Sequence, residues 1–83
     1  MVYWHKFDPQ EFEFEFNEPE LAAHKISIDE ATEIIWNRFD VRRNKRYHGG
    51  YELVGRTDGG RKLKLIVYEK HKGLIRVITG WDV

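Results

Sequence analysis

The side chains best suited to phosphate chemistry stand in the C-terminal third of the chain. Arg56 and Arg61 flank an Asp58-Gly59-Gly60 turn, Lys64 follows on the next segment, and Tyr68 and Glu69 stand at its end. Arg76 lies between Ile75 and Val77, a charged residue inside a short apolar run. Such a residue fits an edge or solvent face of a sheet, or a concave cationic sheet face that holds RNA. RNA cleavage needs little more than such groups. A base takes the 2′-OH proton, the oxygen attacks the adjacent phosphate, cations stabilise the added negative charge, and an acid protonates the leaving 5′-oxygen. Arginine suits the middle task because its planar fork matches phosphate oxygens and keeps its charge. An aromatic ring such as Tyr68 or Trp81 can stack a base.

Other chemistries find no support in the residues. His5, His24, His48 and His71 are scattered, and none pairs at helical ligand spacing, so no metal site is expected. The absence of Cys excludes disulfides, thiolate zinc sites, iron–sulfur clusters and thiol catalysis. No Ser/His/Asp arrangement or phosphate-binding glycine loop is recognisable. No cofactor is expected.

Positioning these groups falls to one small domain. The 83 residues form a single unit, 1–83, with residues 1–10 open to being an N-terminal extension. A chain this short buries about 60% of the surface its unfolded form exposes, and its 41% hydrophobic content is enough for one core. No apolar run is long enough to span a membrane, and the start does not resemble a signal peptide. A cytoplasmic location is the expectation. The net charge of zero conceals a split. Residues 7–33 hold nine Asp/Glu against Lys25, a net −8, while residues 34–83 hold twelve Lys/Arg against five Asp/Glu, a net +7. Either the two parts face each other within the fold, or the basic part attracts phosphates and the acidic part a basic partner.

Residues 11–16 read Glu-Phe-Glu-Phe-Glu-Phe, a strict alternation that predicts a strand with Phe12, Phe14 and Phe16 facing the core. Asn17–His24 fits a short helix with Pro19 in its first turn. Ser27 with Glu30 forms a capping box, Ile26 and Ala31 fall at staple positions, and Ile28, Ala31, Ile34 and Ile35 predict a helix over 28–38. Residues 38–50, with Arg38, Arg42, Arg43, Lys45, Arg46, Tyr47 and His48, read as a charged linker suited to a mobile loop. Lys45 and Arg46 are its candidate RNA contacts. Three strands follow, Tyr51–Thr57, Lys62–Glu69 and Leu74–Thr79, separated by turns at Asp58-Gly59-Gly60 and His71-Lys72-Gly73. The order predicts a small two-layer α+β fold: an N-terminal strand, one or two helices, then a three-stranded antiparallel meander.

Four segments in order resemble one family. Phe14-Glu15-Phe16-Asn17 resembles the opening Phe-Glu-Trp-Asp strand of BrnT-type toxins. His24-Lys25-Ile26-Ser27, followed by Glu30-Ala31, resembles their Lys-His-Gly-Val-Ser and Glu-Glu-Ala segment. Tyr51–Tyr68 resembles the central hairpin, with an Arg after its turn, and Leu74–Thr79 resembles the closing Ile-Arg-Ile-Ile-Ser strand. The stretch before His24 is a few residues shorter than in typical members. After Thr79, where the family continues with Ala-Arg and a basic helix, this chain reads Gly80-Trp81-Asp82-Val83. Contacts made by that tail are therefore not expected of it.

The resemblance implies a RelE-like ribonuclease toxin of a bacterial toxin–antitoxin pair, held inactive by a small antitoxin that usually also binds DNA. Its functional arginines fall on Arg61 and Arg76, and its helix-start histidine on His24. On that reading Arg61 swings over the sheet from its glycine turn and brackets one phosphate with the strand-fixed Arg76. Glu69 or His24 moves protons, and imidazole is the better suited near neutral pH. Arg56, Lys64, Tyr68, Lys45, Arg46 and Trp81 bind the RNA, with no metal in the reaction. Either a homodimer or a toxin–antitoxin hetero-oligomer fits. Two alternatives stand beside it: a non-catalytic module binding nucleic acid or protein on the same sheet, and a subunit that dimerises through its aromatic N-terminal segment.

Overall fold

The computed structural model describes residues 2–46 and 49–83; Met1, Tyr47 and His48 lie outside the described residues. The fold is α+β. Strand β1 (Glu13–Phe16) is followed by helices α1 (Glu18–Ala23) and α2 (Ile28–Trp36), then by strands β2 (Phe39–Asn44), β3 (Gly50–Arg56), β4 (Lys62–His71) and β5 (Leu74–Asp82). The five strands form one mixed sheet in the order β1-β5-β4-β3-β2. Neighbours from β2 to β5 run antiparallel, and β1 pairs parallel with β5.

The alternation holds within β1, which begins at Glu13 rather than at residue 11 because Pro9–Glu11 form a 3-10 turn that leaves Phe12 just before the strand. Phe14 and Phe16 pair with Ile75 and Val77 and pack on the core, while Glu15 stands opposite Arg76 on the other face. The three Phe are half-buried rather than enclosed, because β1 is an edge strand. Beyond Phe16 the chain turns, and α1 continues beside the second half of β5, where the Thr79 hydroxyl donates to Glu20 at 3.1 Å. A Schellman motif closes α1. Lys25 takes a left-handed φ of 60°, its N–H reaches the Ala22 carbonyl at 2.9 Å, and the Ile26 N–H reaches that of Leu21 at 2.9 Å. Leu21 and Ile26 are both buried, the apolar contact that accompanies this cap.

The capping box forms as read: the Glu30 N–H donates to Ser27 Oγ and the Ser27 N–H to Glu30 Oε1, both at 3.1 Å. It starts α2, whose Ala31, Ile34 and Ile35 lie over Leu53, Leu63, Leu65, Val67, Ile75 and Val77 in the core. The helix ends at Trp36 rather than at residue 38, because Asn37 leaves helical geometry and donates to Asp58 at 3.0 Å. Gly80 is required by this packing. A Cβ there would lie 2.7 Å from Leu65 Cδ2 and 2.8 Å from the Lys64 carbonyl.

Two expectations change. The charged segment after α2 is not a linker throughout, since residues 39–44 form β2. Phe39 and Val41 pair with Gly55 and Leu53 on the core side, while Asp40, Arg42 and Asn44 face the other way. The antiparallel part of the sheet therefore has four strands. Residues 4–12, within and just beyond the segment set apart as an extension, pack on the core. Trp4 is buried and stacks on Phe7 with ring centroids 5.0 Å apart, and Phe7 stacks on Phe12 at 5.1 Å. Phe39 and Tyr51 complete this aromatic layer. Trp4, Phe7 and Phe12 of the aromatic N-terminal segment are thus engaged within the chain, while Tyr3 stays exposed. The helices and the N-terminal segment together leave the opposite sheet face open.

Candidate functional site

Strand register decides what that open face presents. Lys64 pairs with Trp81 across β4 and β5, Tyr68 with Arg76, and Glu52 with Arg42 across β3 and β2. At the Trp81 end the face deepens into an open hollow of about 650 Å³. Arg42, Arg43, Lys45 and Arg46, from β2 and the residues after it, supply one wall. Glu20 of α1 and His24, which caps its end, line it from one side, and Glu52, Thr79 and Trp81 from the sheet.

Trp81 is 36% exposed, and Lys64 Nζ lies 5.8 Å from its ring centroid. The His24 ring stands 6.3 Å from the Trp81 ring, and His24 Nε2 is 3.5 Å from Glu20 Oε1. The two carboxylates of the hollow differ. Glu52 is met by Lys64 at 3.3 Å and by the Asn44 side-chain amide at 2.8 Å. Glu20 takes the Thr79 hydroxyl on one oxygen and shares that oxygen with His24. The hollow therefore offers cations on one wall, an aromatic face, and a carboxylate held in place by a hydroxyl. Such a set suits a nucleotide strand, with cations along the backbone and a ring for a base.

The four candidate catalytic residues do not converge there. Arg61 is a staple rather than a swinging arm. Its Nε and Nη2 grip Asp82 at 2.6 and 2.9 Å, and Nη1 reaches Glu30 at 3.1 Å and the Lys25 carbonyl at 2.7 Å. Nη2 also reaches the His24 carbonyl at 3.3 Å. A guanidinium has five N–H donors, and these partners engage all of them, tying the α1–α2 junction to the end of β5. Asp82 and Glu30 hold the Arg61 guanidinium far above its ordinary titration range. Asp82 is drawn below the usual carboxylate range by Arg61; Glu30 is drawn down first by the Ser27 N–H and then by Arg61.

Arg76 belongs to a different cluster. It pairs with Glu15, which Lys70 also reaches at 3.2 Å, and Lys70 with Arg76 keeps the Glu15 carboxyl below its usual range. Arg76 and Asp82, the anchor of Arg61, are six residues apart on β5. At about 3.3 Å per residue that is roughly 20 Å, so Arg61 and Arg76 do not bracket one phosphate. Glu69 accepts the Gly73 N–H at 3.2 Å at the β4–β5 turn. Only His24 of that quartet lines the hollow.

The candidate RNA contacts divide likewise. Lys45, Arg46 and Trp81 line the hollow, with Lys64 beneath the Trp81 ring. Tyr68 stands beside Arg76, and Arg56 donates to the Gly60 carbonyl at 3.1 Å at the β3–β4 turn. Sequence reading missed Arg42, Arg43, Glu20, Glu52 and Thr79. The period-two pattern of residues 39–44 is the signal that puts Arg42 on the face opposite Phe39 and Val41, and the strand register sets it beside Glu52. No protein-family model, curated protein or solved structure matches this chain. Among the described residues, no helix is long and apolar enough to cross a membrane, and no three His, Cys, Asp or Glu side chains gather as metal ligands.

Proposed function

We propose that this α+β domain, of the RelE-like kind, binds single-stranded RNA in the hollow of its open sheet face. One observation carries the reading: Arg42, Arg43, Lys45 and Arg46 share a single open hollow with Trp81 and His24. Cations along one wall follow a phosphate backbone, and an indole stacks any base, typically worth about 1–3 kcal/mol. The open form of the hollow suits a strand passing through. Labelled oligouridine, titrated with the protein over a series of salt concentrations, tests this. Three or four phosphate contacts should give a log–log salt slope of about −2 to −3. A flat salt response, or no binding at low salt, contradicts it.

A second reading uses the same hollow for metal-independent RNA cleavage, as in a BrnT-type toxin. The His24–Glu20 pair favours it, because an imidazole oriented by a carboxylate beside a cationic wall is suited to moving the 2′-OH proton. The cations of β2 would then take the role expected of Arg61. A small DNA-binding antitoxin would inhibit the domain by covering that wall. Incubation with single-stranded RNA in excess EDTA separates the two readings. Cleavage that survives EDTA and disappears in His24→Ala supports the toxin; binding without cleavage leaves the module.

A further inference from the structure

We infer that the hollow selects an unpaired guanine, which Glu20 reads and Trp81 stacks. The inference rests on the RNA-binding reading above and adds its base preference.

Glu20 is the feature that the backbone-binding reading leaves unexplained. A carboxylate beside a phosphate track repels the ligand unless it meets hydrogen-bond donors there. Glu52 has its donors within the protein, from Lys64 and Asn44. Glu20 is fixed by the Thr79 hydroxyl, which donates to Oε1 at 3.1 Å, while His24 Nε2 stands 3.5 Å from the same oxygen as an ion-pair neighbour rather than a hydrogen-bond donor. A carboxylate offers about four lone-pair sites, so Oε2 and the second site of Oε1 remain for a ligand. Thr79 is a positioning residue in this arrangement: it sets the direction in which Glu20 faces.

The bases differ in what they can offer such a group. A carboxylate accepts best from two parallel N–H donors. On its Watson–Crick edge guanine carries N1–H beside the N2 amino group. Adenine and cytosine each place an acceptor next to their amino donor, and uracil flanks its one N–H with two carbonyls. Only guanine satisfies both oxygens at once. Trp81 supplies the stacking face close by, with its ring 6.3 Å from that of His24 and with Lys64 Nζ 5.8 Å from its centroid. Arg42 and Arg46 line the same hollow for the flanking phosphates.

The test compares short labelled oligouridines that carry one central guanine, inosine or adenine, with plain oligouridine as reference, by fluorescence anisotropy. The guanine oligomer should bind about tenfold tighter than the adenine one. Inosine keeps N1–H and lacks the N2 amino group, so it should fall between. Glu20→Gln should abolish the preference and tighten binding of plain oligouridine, because a negative charge leaves the phosphate track. Glu20→Asp keeps the charge but draws it back, and should also lose the preference without strengthening plain oligouridine binding. Equal wild-type affinity for guanine, inosine and adenine would overturn the guanine inference and leave RNA binding standing. A preference that survives Glu20→Gln would overturn the role of Glu20. Failure to bind any of the oligomers would overturn both the inference and the reading beneath it.

Discussion

Arg61 and the basic run of β2 carry the same kind of charge in opposite situations. Arg61 has its donors engaged by Asp82, Glu30 and two main-chain carbonyls. Arg42, Arg43, Lys45 and Arg46 are exposed and line a hollow that also holds Trp81. The more distinctive signal, an arginine after a glycine turn, belongs to a residue that holds the fold together. The plainer signal, a run of charges easily read as linker, belongs to the surface that can meet a ligand. A cation serves a ligand only when the protein's own carboxylates have not already taken its donors.

Replacing Arg61 with Ala should produce the largest effect. It strands Glu30 and Asp82 and removes the main-chain contacts at the α1–α2 junction. Charged hydrogen bonds of this kind give a loss of about 2 kcal/mol in unfolding free energy, read as a lower urea midpoint. Under conditions where the variant is still folded, its affinity for oligouridine should match wild type. An unchanged midpoint with lost RNA binding would reverse the roles assigned to the two regions.

Arg42→Ala combined with Arg46→Ala should do the opposite. RNA affinity should fall about tenfold, and the salt slope should become shallower by about 1.4, as expected for two lost phosphate contacts. Both residues are exposed, so the unfolding free energy should change by no more than about 0.5 kcal/mol. A stability loss as large as that of Arg61→Ala would show that the β2 cations also hold the fold.

The smallest expected effect is a dependence on acid. Glu30 and Asp82 titrate below their ordinary range in the folded chain, so the unfolded chain binds protons first as pH falls. Their contribution is fully present at neutral pH, above the unfolded carboxylate range, and is lost as pH drops through the depressed folded values. The urea midpoint should therefore decline in acid, and Arg61→Ala should flatten part of that decline. Glu15, held down by Lys70 and Arg76, keeps its own share in the variant. Identical pH profiles for the two proteins would contradict the staple.

Legibility followed sequence distance. The capping box of Ser27 and Glu30 spans three residues, and the Glu-Phe alternation that runs into β1 spans residues 11–16, so both were readable. The turns at Gly60 and Gly73, both with positive φ, were readable for the same reason. β2 was hidden because its outward positions are charged or polar and its inward face offers only two apolar residues, Phe39 and Val41. Arg61 was misjudged because its partners lie far along the chain: Asp82 at 21 residues, Glu30 at 31 and Lys25 at 36. The hollow was equally non-local, since it brings the end of α1 to β5 and the tail of β2. Pattern reads what neighbours in sequence impose; which cation is already paired is settled by the fold.

Mapping of amide and indole resonances during titration with oligouridine tests the central claim most directly. Binding in the hollow should move the Trp81 indole N–H, the His24 signals and the amides of residues 42–46. The Trp4 indole, buried in the aromatic layer, and the Arg61 side-chain Nε–H should stay in place. Shifts centred on Arg56 and Arg61, or on Arg76 and Glu15, with Trp81 unmoved, would contradict the assignment of the hollow as the RNA site.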